Sequence, residues 1–315
     1  MTIPFDGVPL HAQRRLIEEL ADLGYTDVWS AEVNGADAFT PLVLAATWAP
    51  SLRLGTAIVP AFTRGPATIA QSAASLAQAA PGRFVLGVGT SSDVIVEAWN
   101  GIPFERPYQR TRDVVRFLRA ALAGDKVAEE YETFTVQGFV LGLRLGEPVP
   151  ILVAALREGM LRLAGREGDG AIVNWLSADD VRRVAPIVER AGDGSPKEIV
   201  ARIFVTPTAD PDTARAIGRR AITAYLNVPV YAAFHQWLGR GERLAGMWRS
   251  WRDGDRNGAL GAIPDDVVDE LVVWGTPEAC REHIERYRAN GVTTPMVALL
   301  PGSDPAQAIR DLAPQ

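Results

Sequence analysis

The sequence contains few of the residues on which metal, disulfide and thiol chemistry depend: one cysteine and three histidines among 315 residues. A single cysteine, Cys280, excludes an intramolecular disulfide framework and is typical of proteins in a reducing compartment. The histidines, His11, His235 and His283, are not spaced as metal ligands, and no Cys/His cluster accompanies them. We therefore expect no metal site.

Lysine is almost absent as well. Lys126 and Lys197 are the only two lysines of the chain, and neither follows a predicted strand, where the Schiff-base lysine of a barrel aldolase would lie. The G-x-S-x-G elbow of serine hydrolases does not occur in the sequence either. Aldolase and hydrolase chemistry are therefore disfavoured.

Long basic runs and long apolar runs are also missing. The formal net charge is -6 and no cluster of Lys and Arg is present, which argues against a nucleic-acid surface that works by counterion release. No apolar run reaches the length of a membrane span, and the N-terminal residues do not read as a signal peptide. We expect a cytoplasmic protein without a nucleic-acid or membrane partner.

The chain does contain a repeated alternation of apolar strands and amphipathic helices. Apolar residues make up 47% of the chain, which is ordinary for an enzyme with a large core. The strands lack polar alternation, which is typical of parallel sheet buried on both faces. The predicted strands are Thr2–Phe5, Asp27–Ala31, Arg53–Val59, Phe84–Gly89, Val149–Ala154, Ala171–Trp175, Ile199–Val205 and Pro295–Leu300. Eight strand–helix units predict a (β/α)8 TIM barrel rather than an open doubly wound sheet.

Two stretches interrupt this alternation. Asp125–Leu145 predicts a β-like excursion after the fourth helix, and Leu226–Ile263 predicts a helical, Trp-rich segment between strands seven and eight. We expect both to cap the barrel mouth, where the loops at the C-terminal strand ends carry the chemistry. No linker is long enough to divide the chain, so residues 1–315 are predicted to form a single domain.

The loop after the fifth predicted strand is the best candidate for a phosphate site. There the chain passes through Arg157 and Glu158 into Gly159. Several backbone N–H groups at a helix N-terminus can converge on an anion in such a loop, beside the positive charge of the arginine. A simple tight turn explains the same residues equally well, because glycine is common at such turns.

His235 also has two interpretations. It lies on a predicted amphipathic helix with Phe234 and Trp237, so a role in helix packing is the simpler one. If the Trp-rich segment closes the barrel mouth, His235 becomes a proton donor or a substrate contact.

Three stretches resemble a known family. The resemblance rests on GYTDVWSAEVNGADAFTPLVLAATWAPSLRLGTAIVPAFTRGPATIAQSAASLAQAAPGRFVLGVGTSS, on AGREGDGAIVNW and on VWGTPEACREHIERYRANGVTTPMV. Together they are similar to the bacterial luciferase-like superfamily, and above all to its branch of coenzyme F420-dependent oxidoreductases. The resemblance implies a (β/α)8 barrel, usually paired as a homodimer, that holds FMN or F420 with its ring at the barrel mouth.

The resemblance also implies cofactor-binding residues. In the family, the third strand ends in a bulge whose non-prolyl cis peptide supports the ring, and the matching step here is Ala57–Ile58. Gly89 and Thr90 match the end of the fourth strand near the ring. The phosphate-binding segment of the family maps onto Ala155, Leu156, Arg157, Glu158, Gly159 and Met160.

Two departures from the family imply an unusual substrate. Where F420-dependent sugar-phosphate dehydrogenases end strand two with an Asp–His pair, this chain has Glu32 and Val33, and their acid after strand four is replaced by a serine near Ser92. Without that histidine and that acid, oxidation of a sugar hemiacetal lacks its proton acceptor. Glu32 remains the carboxylate predicted nearest to the ring, either as a catalytic group or as a hydrogen-bond acceptor at the barrel mouth.

Three functions remain open at this point. The preferred one is an F420-dependent oxidoreductase, in which the deazaflavin exchanges a hydride with an unidentified small organic substrate while the protein supplies alignment and a proton source. The first alternative is an FMN-dependent monooxygenase that uses reduced flavin and O2. The second is a flavin- or deazaflavin-binding protein without turnover, which Val33 in place of the histidine keeps open.

Overall fold

The computed structural model of the chain describes residues 1–314. Its strands are β1 (Asp27–Ser30), β2 (Arg53–Thr56), β3 (Val59–Pro60), β4 (Phe84–Gly89), β5 (Val127–Glu130), β6 (Thr135–Phe139), β7 (Ile151–Ala154), β8 (Gly170–Asn174), β9 (Glu198–Thr206), β10 (Val272–Trp274) and β11 (Thr294–Leu299). Its α-helices are α1 (Arg14–Asp22), α2 (Thr40–Trp48), α3 (Pro66–Ala79), α4 (Pro107–Ala123), α5 (Glu158–Glu167), α6 (Val181–Ala191), α7 (Pro211–Leu226), α8 (Pro229–Trp237), α9 (Gly241–Arg252), α10 (Arg256–Gly261), α11 (Asp265–Leu271), α12 (Pro277–Ala289) and α13 (Pro305–Asp311). A 3₁₀ turn occupies Leu10–Ala12 and a π-helical segment occupies Val94–Trp99.

The chain forms two compact units. The first consists of residues 1–172 and 187–198, and the second consists of residues 173–186 and the described residues from 199 onward. The organisation as a single domain therefore stays a prediction. In the described part of the chain, no helix is both long and apolar enough to cross a membrane.

The first unit is built on a parallel sheet. In it β2 lies between β1 and β4, β4 pairs with β7, and β7 pairs with the start of β8. All six residues of β4 are buried, as expected for a strand of parallel sheet that is covered on both faces. Because the strands are parallel, their C-terminal ends all meet at one edge of this sheet, and the loops that follow them lie there.

Two predicted strands of this unit differ in the structure. Thr2–Phe5 forms only one parallel bridge, between Thr2 and Trp29, because Pro4 has no N–H to continue a ladder. The third predicted strand, Arg53–Val59, is divided into β2 and β3. Between these two strands lies the Ala57–Ile58 peptide bond, which is cis. The cis bond implied by the family resemblance is thus confirmed.

The predicted β-like excursion is confirmed as a hairpin. Strands β5 and β6 pair antiparallel within Asp125–Leu145, with a register shift beside Val127. The hairpin follows α4 directly, and Gly124 ends that helix in the left-handed conformation with φ 91°. A glycine adopts this conformation without steric cost, which allows the sharp change of direction.

The second unit contains a smaller set of parallel strands. Strand β9 pairs with both β10 and β11. Strand β10 was not among the predicted strands, because its three residues form too short a run to separate from α11 before it. Helices α8 to α11 fill the predicted Trp-rich segment and confirm its helical character. They contribute Leu244, Met247 and Ala259 to an apolar core that also contains Trp175 and Phe204.

Candidate active site

The strand ends of the first unit carry an ion pair. Glu32 follows β1, and Arg64 lies in the loop between β3 and α3. Arg64 donates from Nε to both carboxylate oxygens of Glu32, each at 3.1 Å, and from Nη2 to Oε2 at 2.8 Å. The backbone N–H of Ala38 donates to the same Oε2 at 3.2 Å. Glu32 is therefore engaged as a hydrogen-bond acceptor, one of the two roles predicted for it.

Asp37 completes this charged group. Its carboxylate lies 3.6 Å from Nη2 of Arg64 and accepts hydrogen bonds from the backbone N–H groups of Phe39 and Thr40. Burial alone would raise the pKa of Asp37, but the hydrogen bonds from Thr40 and Phe39 and the charge of Arg64 lower it overall. The hydrogen bond with Glu32 raises the pKa of Arg64, so the guanidinium stays charged.

The cis step is held against the end of β1. The N–H of Ala57 donates to the carbonyl of Ser30 at 2.6 Å, and the N–H of Glu32 donates to the carbonyl of Ile58 at 3.2 Å. These two backbone hydrogen bonds flank the cis bond on both sides. The backbone of Glu32 and the Ala57–Ile58 step therefore belong to one local structure.

Gly89, the last residue of β4, allows this bulge to approach. A methyl group at Gly89 would lie 2.6 Å from the side chain of Ala154 and 3.3 Å from Ile58, so a larger residue would push Ile58 away. The next residue, Thr90, is partly buried and donates its hydroxyl to the carbonyl of Ser91 at 3.1 Å. Glycine is thus required at position 89 by packing, whatever binds there.

The predicted phosphate segment lies at the start of α5. Ala155 is buried and donates its N–H to the carbonyl of Ile172 at 3.0 Å, Leu156 is partly buried, and the segment then emerges at Arg157. Within residues 1–314, no side chain caps α5 and none pairs with Arg157. The N–H groups of the first helical turn are therefore unpaired beside a free guanidinium, which is an arrangement that attracts anions.

Gly159 leaves this helix start open. A methyl group added there would meet no atom within 4 Å, so an incoming group can reach the backbone. Met160 is partly buried, whereas Glu158 is exposed and pairs with Arg162 one turn further along the helix. The negative charge of Glu158 is thus compensated locally.

His235 lies in the second unit, on α8. Its side chain is fully buried, and neither ring nitrogen has a hydrogen bond of ordinary geometry within the described residues. The ring packs edge-on against Phe234 with centroids 5.5 Å apart. Burial and the charge of Arg240 lower the pKa of His235 to about 3, although the nearby backbone of Trp175 opposes them. His235 is thus neutral at pH 7, and both of its predicted roles, helix packing and a contact in the substrate pocket, stay predictions.

Arg240 anchors the same region. It is 5% exposed and pairs with Asp180 at 2.8 Å and with Glu270 at 2.8 Å. Its guanidinium also donates to the hydroxyl of Ser177 at 3.1 Å. The Trp-rich segment is thus fastened to the start of α6 and to α11 by one buried arginine.

The match to a family model shows to which family the chain belongs. The family model of the luciferase-like monooxygenases matches residues 3–294, which is nearly the whole chain. This protein belongs to the luciferase-like monooxygenase family. Among its relatives is a 5,10-methylenetetrahydromethanopterin reductase of Methanolobus tindarius, which is 27% identical over 91% of this chain and 90% of its own length.

Two solved structures of F420-dependent enzymes have the same fold. The coenzyme F420-dependent tetrahydromethanopterin reductase of Methanopyrus kandleri superposes with a TM-score of 0.82 at 22% identity, over 99% of this chain and 96% of that one. An F420-dependent secondary alcohol dehydrogenase in complex with an F420-acetone adduct gives a TM-score of 0.76 at 19% identity, over 96% and 93%. These likenesses confirm the predicted fold class, a luciferase-like (β/α)8 barrel.

Two arginines of this luciferase-like chain, Arg64 and Arg202, were not among the predicted site residues. Arg64 follows β3 while Glu32 follows β1, so charged residues at the ends of nearby parallel strands could have indicated their pairing. For Arg202, the signal was a charged residue with apolar neighbours on both sides, within Ile199–Val205. Buried charges are rare unless they are paired or functional.

Proposed function

We propose that this protein is an F420-dependent oxidoreductase that exchanges a hydride between the deazaflavin and a small organic substrate. The observation that carries the cofactor site is the open start of α5, where Arg157 has no partner among residues 1–314 and no side chain caps the helix. The F420-dependent activities named for the similar reductase and dehydrogenase structures support it. We also propose, from the family resemblance, that it works as a homodimer in the cytoplasm.

The residues present fit such a cofactor. Arg157 and the free N–H groups around Gly159 would hold its phosphate, since charge-assisted hydrogen bonds to an oxyanion are among the strongest in proteins. Gly159 offers open space at this point. Ile58, which packs on Gly89, would support the ring. Bound F420 would supply a carbon that accepts or donates a hydride.

The chain itself would contribute positioning. Arg64 fixes the Glu32 carboxylate through three hydrogen bonds. Because the carboxylate is already held in place before the substrate binds, one of its oxygens can orient a donor group of the substrate. Glu32 therefore remains our candidate for a catalytic contact. His235 is the second candidate, but its burial and its neutral ring restrict it to orienting its neighbours unless α8 moves.

An FMN-dependent monooxygenase is the second candidate function. The family to which the chain belongs is named for that activity, and the same open helix start can bind the phosphate of FMN. The hydrogen bonds that fix Glu32 do not distinguish the two cofactors. A third possibility, a binding protein without turnover, shares the cofactor site and differs only in the absence of a reaction.

A titration of the purified protein with F420 and, separately, with FMN tests the proposal. Binding is followed by quenching of the intrinsic fluorescence of the eight tryptophans. We expect tight binding of F420 and weak binding of FMN. The reverse order would overturn the proposal in favour of the monooxygenase, and oxygen consumption with reduced FMN would then be measured. Tight F420 binding without turnover of any tested alcohol, ketone or enone would favour the binding protein.

A further inference from the structure

Arg202 is a cation without a counter-ion in the second unit. It lies in the middle of β9, between the buried residues Ala201 and Ile203. Its Nε is buried without a hydrogen-bond partner, and no carboxylate in the described part of the chain pairs with its guanidinium. The guanidinium is positioned 5.0 Å from the ring centroid of Phe204, a cation–π contact that orients it but does not neutralise it.

Two further polar side chains near Arg202 have unused hydrogen-bonding capacity. Asn174, at the end of β8, donates from Nδ2 to the hydroxyl of Tyr231 at 3.0 Å, while its Oδ1 is buried without a partner. Turning this amide over would let Tyr231 donate to Oδ1 and would leave Nδ2 as the unpaired atom. Burial and the neighbouring Tyr225 raise the pKa of Tyr231 to about 12, against the effect of Asn174 and Arg202. The phenol thus keeps its proton and can donate it.

Aromatic rings form the base of this site. Trp175 stacks on Phe204 with centroids 4.0 Å apart, and Tyr225 lies 5.3 Å from Trp175 and 6.0 Å from Tyr231. The indole Nε1 of Trp175 is also buried without a partner. We call these residues the Arg202 cluster: Asn174, Trp175, Arg202, Phe204, Tyr225 and Tyr231.

The Arg202 cluster has a buried aromatic base and a partly exposed polar rim. Its aromatic base is buried, with Trp175 at 1% and Phe204 at 4% exposure. Asn174, Arg202 and the two tyrosines remain partly exposed. Apolar walls with a few convergent polar groups are the usual composition of a small-molecule site.

The buried polar atoms of the Arg202 cluster that lack a partner lower the stability of the folded protein. A buried donor without an acceptor loses its bonds to water without replacement, and a partly buried charge loses more. Native structures contain few such groups, yet the Arg202 cluster holds three: Nε of Arg202, Oδ1 of Asn174 and Nε1 of Trp175. A ligand that accepts hydrogen bonds and carries negative charge would pair with the two donors, Nε of Arg202 and Nε1 of Trp175, and with Nδ2 of Asn174 once its amide is turned over.

We propose that the Arg202 cluster binds the carboxylate of an organic substrate whose apolar body lies on the aromatic rings. The planar guanidinium matches a carboxylate through two parallel hydrogen bonds. One cation balances one negative charge, which fits a carboxylate better than a phosphate dianion. This inference rests on the proposed function in so far as it names the substrate class of that enzyme: carboxylic acids with an aromatic or similarly apolar group.

Binding of simple aromatic acids to the full-length protein tests this inference. Benzoate and phenylacetate are titrated against benzamide, their uncharged analogue, and against inorganic phosphate, with tryptophan fluorescence and the melting temperature as readouts. We expect saturable binding of the two acids only. Binding of benzamide as tight as that of benzoate, or binding of phosphate alone, would overturn the assignment, and so would the absence of saturable binding of either acid.

Variants of Arg202 show whether benzoate binds at the Arg202 cluster. Arg202→Met keeps an apolar stem and removes the charge, so we expect benzoate affinity to fall about tenfold or more. Arg202→Lys keeps the charge but lacks the planar guanidinium. We expect its benzoate affinity to lie between that of the parent protein and that of Arg202→Met. Arg220→Met removes the same charge from an exposed position on α7 and should bind benzoate like the parent protein. If Arg202→Met does not fold, Arg202→Lys is used instead. Unchanged benzoate affinity in a folded variant of Arg202 would overturn the proposal.

An F420 titration of the same variants separates this inference from the proposed function. F420 binding without benzoate binding would refute the Arg202 site and leave the cofactor assignment intact. Benzoate binding that depends on Arg202 in a protein that does not bind F420 would support the anion site and refute the F420 assignment.

Discussion

The guanidinium of Arg64 donates three hydrogen bonds to the carboxylate of Glu32: Nη2 lies 2.8 Å from Oε2, and Nε lies 3.1 Å from each oxygen. The two side chains are 19% and 24% exposed, so this pair is only partly screened by water. It ties the loop after β1 to the loop after β3. The orientation of the one carboxylate predicted to lie near a cofactor ring therefore depends on a residue from a different loop.

The first prediction concerns the strength of this pair. In a double-mutant cycle with Glu32→Gln and Arg64→Met, we expect a coupling free energy of about 1–2 kcal/mol in urea unfolding, because the geometry is two-pronged and partly buried. The matched control is the exposed pair Arg14 and Glu18 on α1, where the coupling should stay below about 0.5 kcal/mol. Equal coupling in both cycles would mean that the Glu32 pair is no more than a surface contact.

The second prediction concerns cofactor binding. Arg157→Ala should weaken F420 binding about tenfold, because a charge-assisted hydrogen bond to phosphate is lost. Gly159→Val should weaken it further, because its side chain would fill the space in front of the open helix start. Arg220→Ala, which removes the same charge from an exposed position on α7, is the control and should bind F420 normally. Unchanged affinity in the first two variants would refute the phosphate assignment.

The third prediction concerns the packing of β1 on β2. Gly55 is the register partner of Trp29, and a methyl group at Gly55 would overlap the six-membered ring of this fully buried indole. Gly55→Ala should lower the free energy of unfolding by about 1–3 kcal/mol. Gly35→Ala, where a methyl group meets no atom within 4 Å, should change it little. A loss of stability in Gly35→Ala as large as in Gly55→Ala would show that backbone effects, not the indole, are responsible.

The fourth prediction concerns pH. The unfolded chain protonates His235 below about pH 6.5, whereas the folded protein keeps the ring neutral down to about pH 3. Between these values the unfolded state binds the additional proton, so His235 lowers stability as the pH falls. In His235→Gln, the loss of stability from pH 6.5 to pH 4.5 should be smaller than in the parent protein by about 1 kcal/mol per pH unit.

Urea unfolding at several pH values measures this difference, and His11→Gln, at an exposed position, is the matched control that should follow the parent profile. Turnover adds a second readout. If His235 is a packing residue, a folded His235→Gln variant should keep both its F420 affinity and its turnover. Lost turnover with intact F420 affinity would instead support the catalytic role predicted for this residue.

Much of the fold could be predicted because the signals are local. Apolar runs such as Phe84–Gly89 and helix ends such as Gly124 depend on neighbours in sequence, and they correspond to β4 and to the end of α4. Errors arose where local signals were weak or divided. Val272–Trp274 was too short to stand out as a strand, and Pro4 reduced Thr2–Phe5 to a single bridge.

The sequence by itself determined the class of the protein: parallel strands alternating with helices, the cis step at Ala57–Ile58 through family resemblance, and the segment around Arg157 as the anion candidate. Only the tertiary structure decided which charges are balanced. Arg64 pairs with Glu32, whereas Arg202 has no carboxylate partner among the described residues. The physical reason is that side-chain pairing depends on which distant strand ends and helices are packed together, and periodicity along the chain does not encode that.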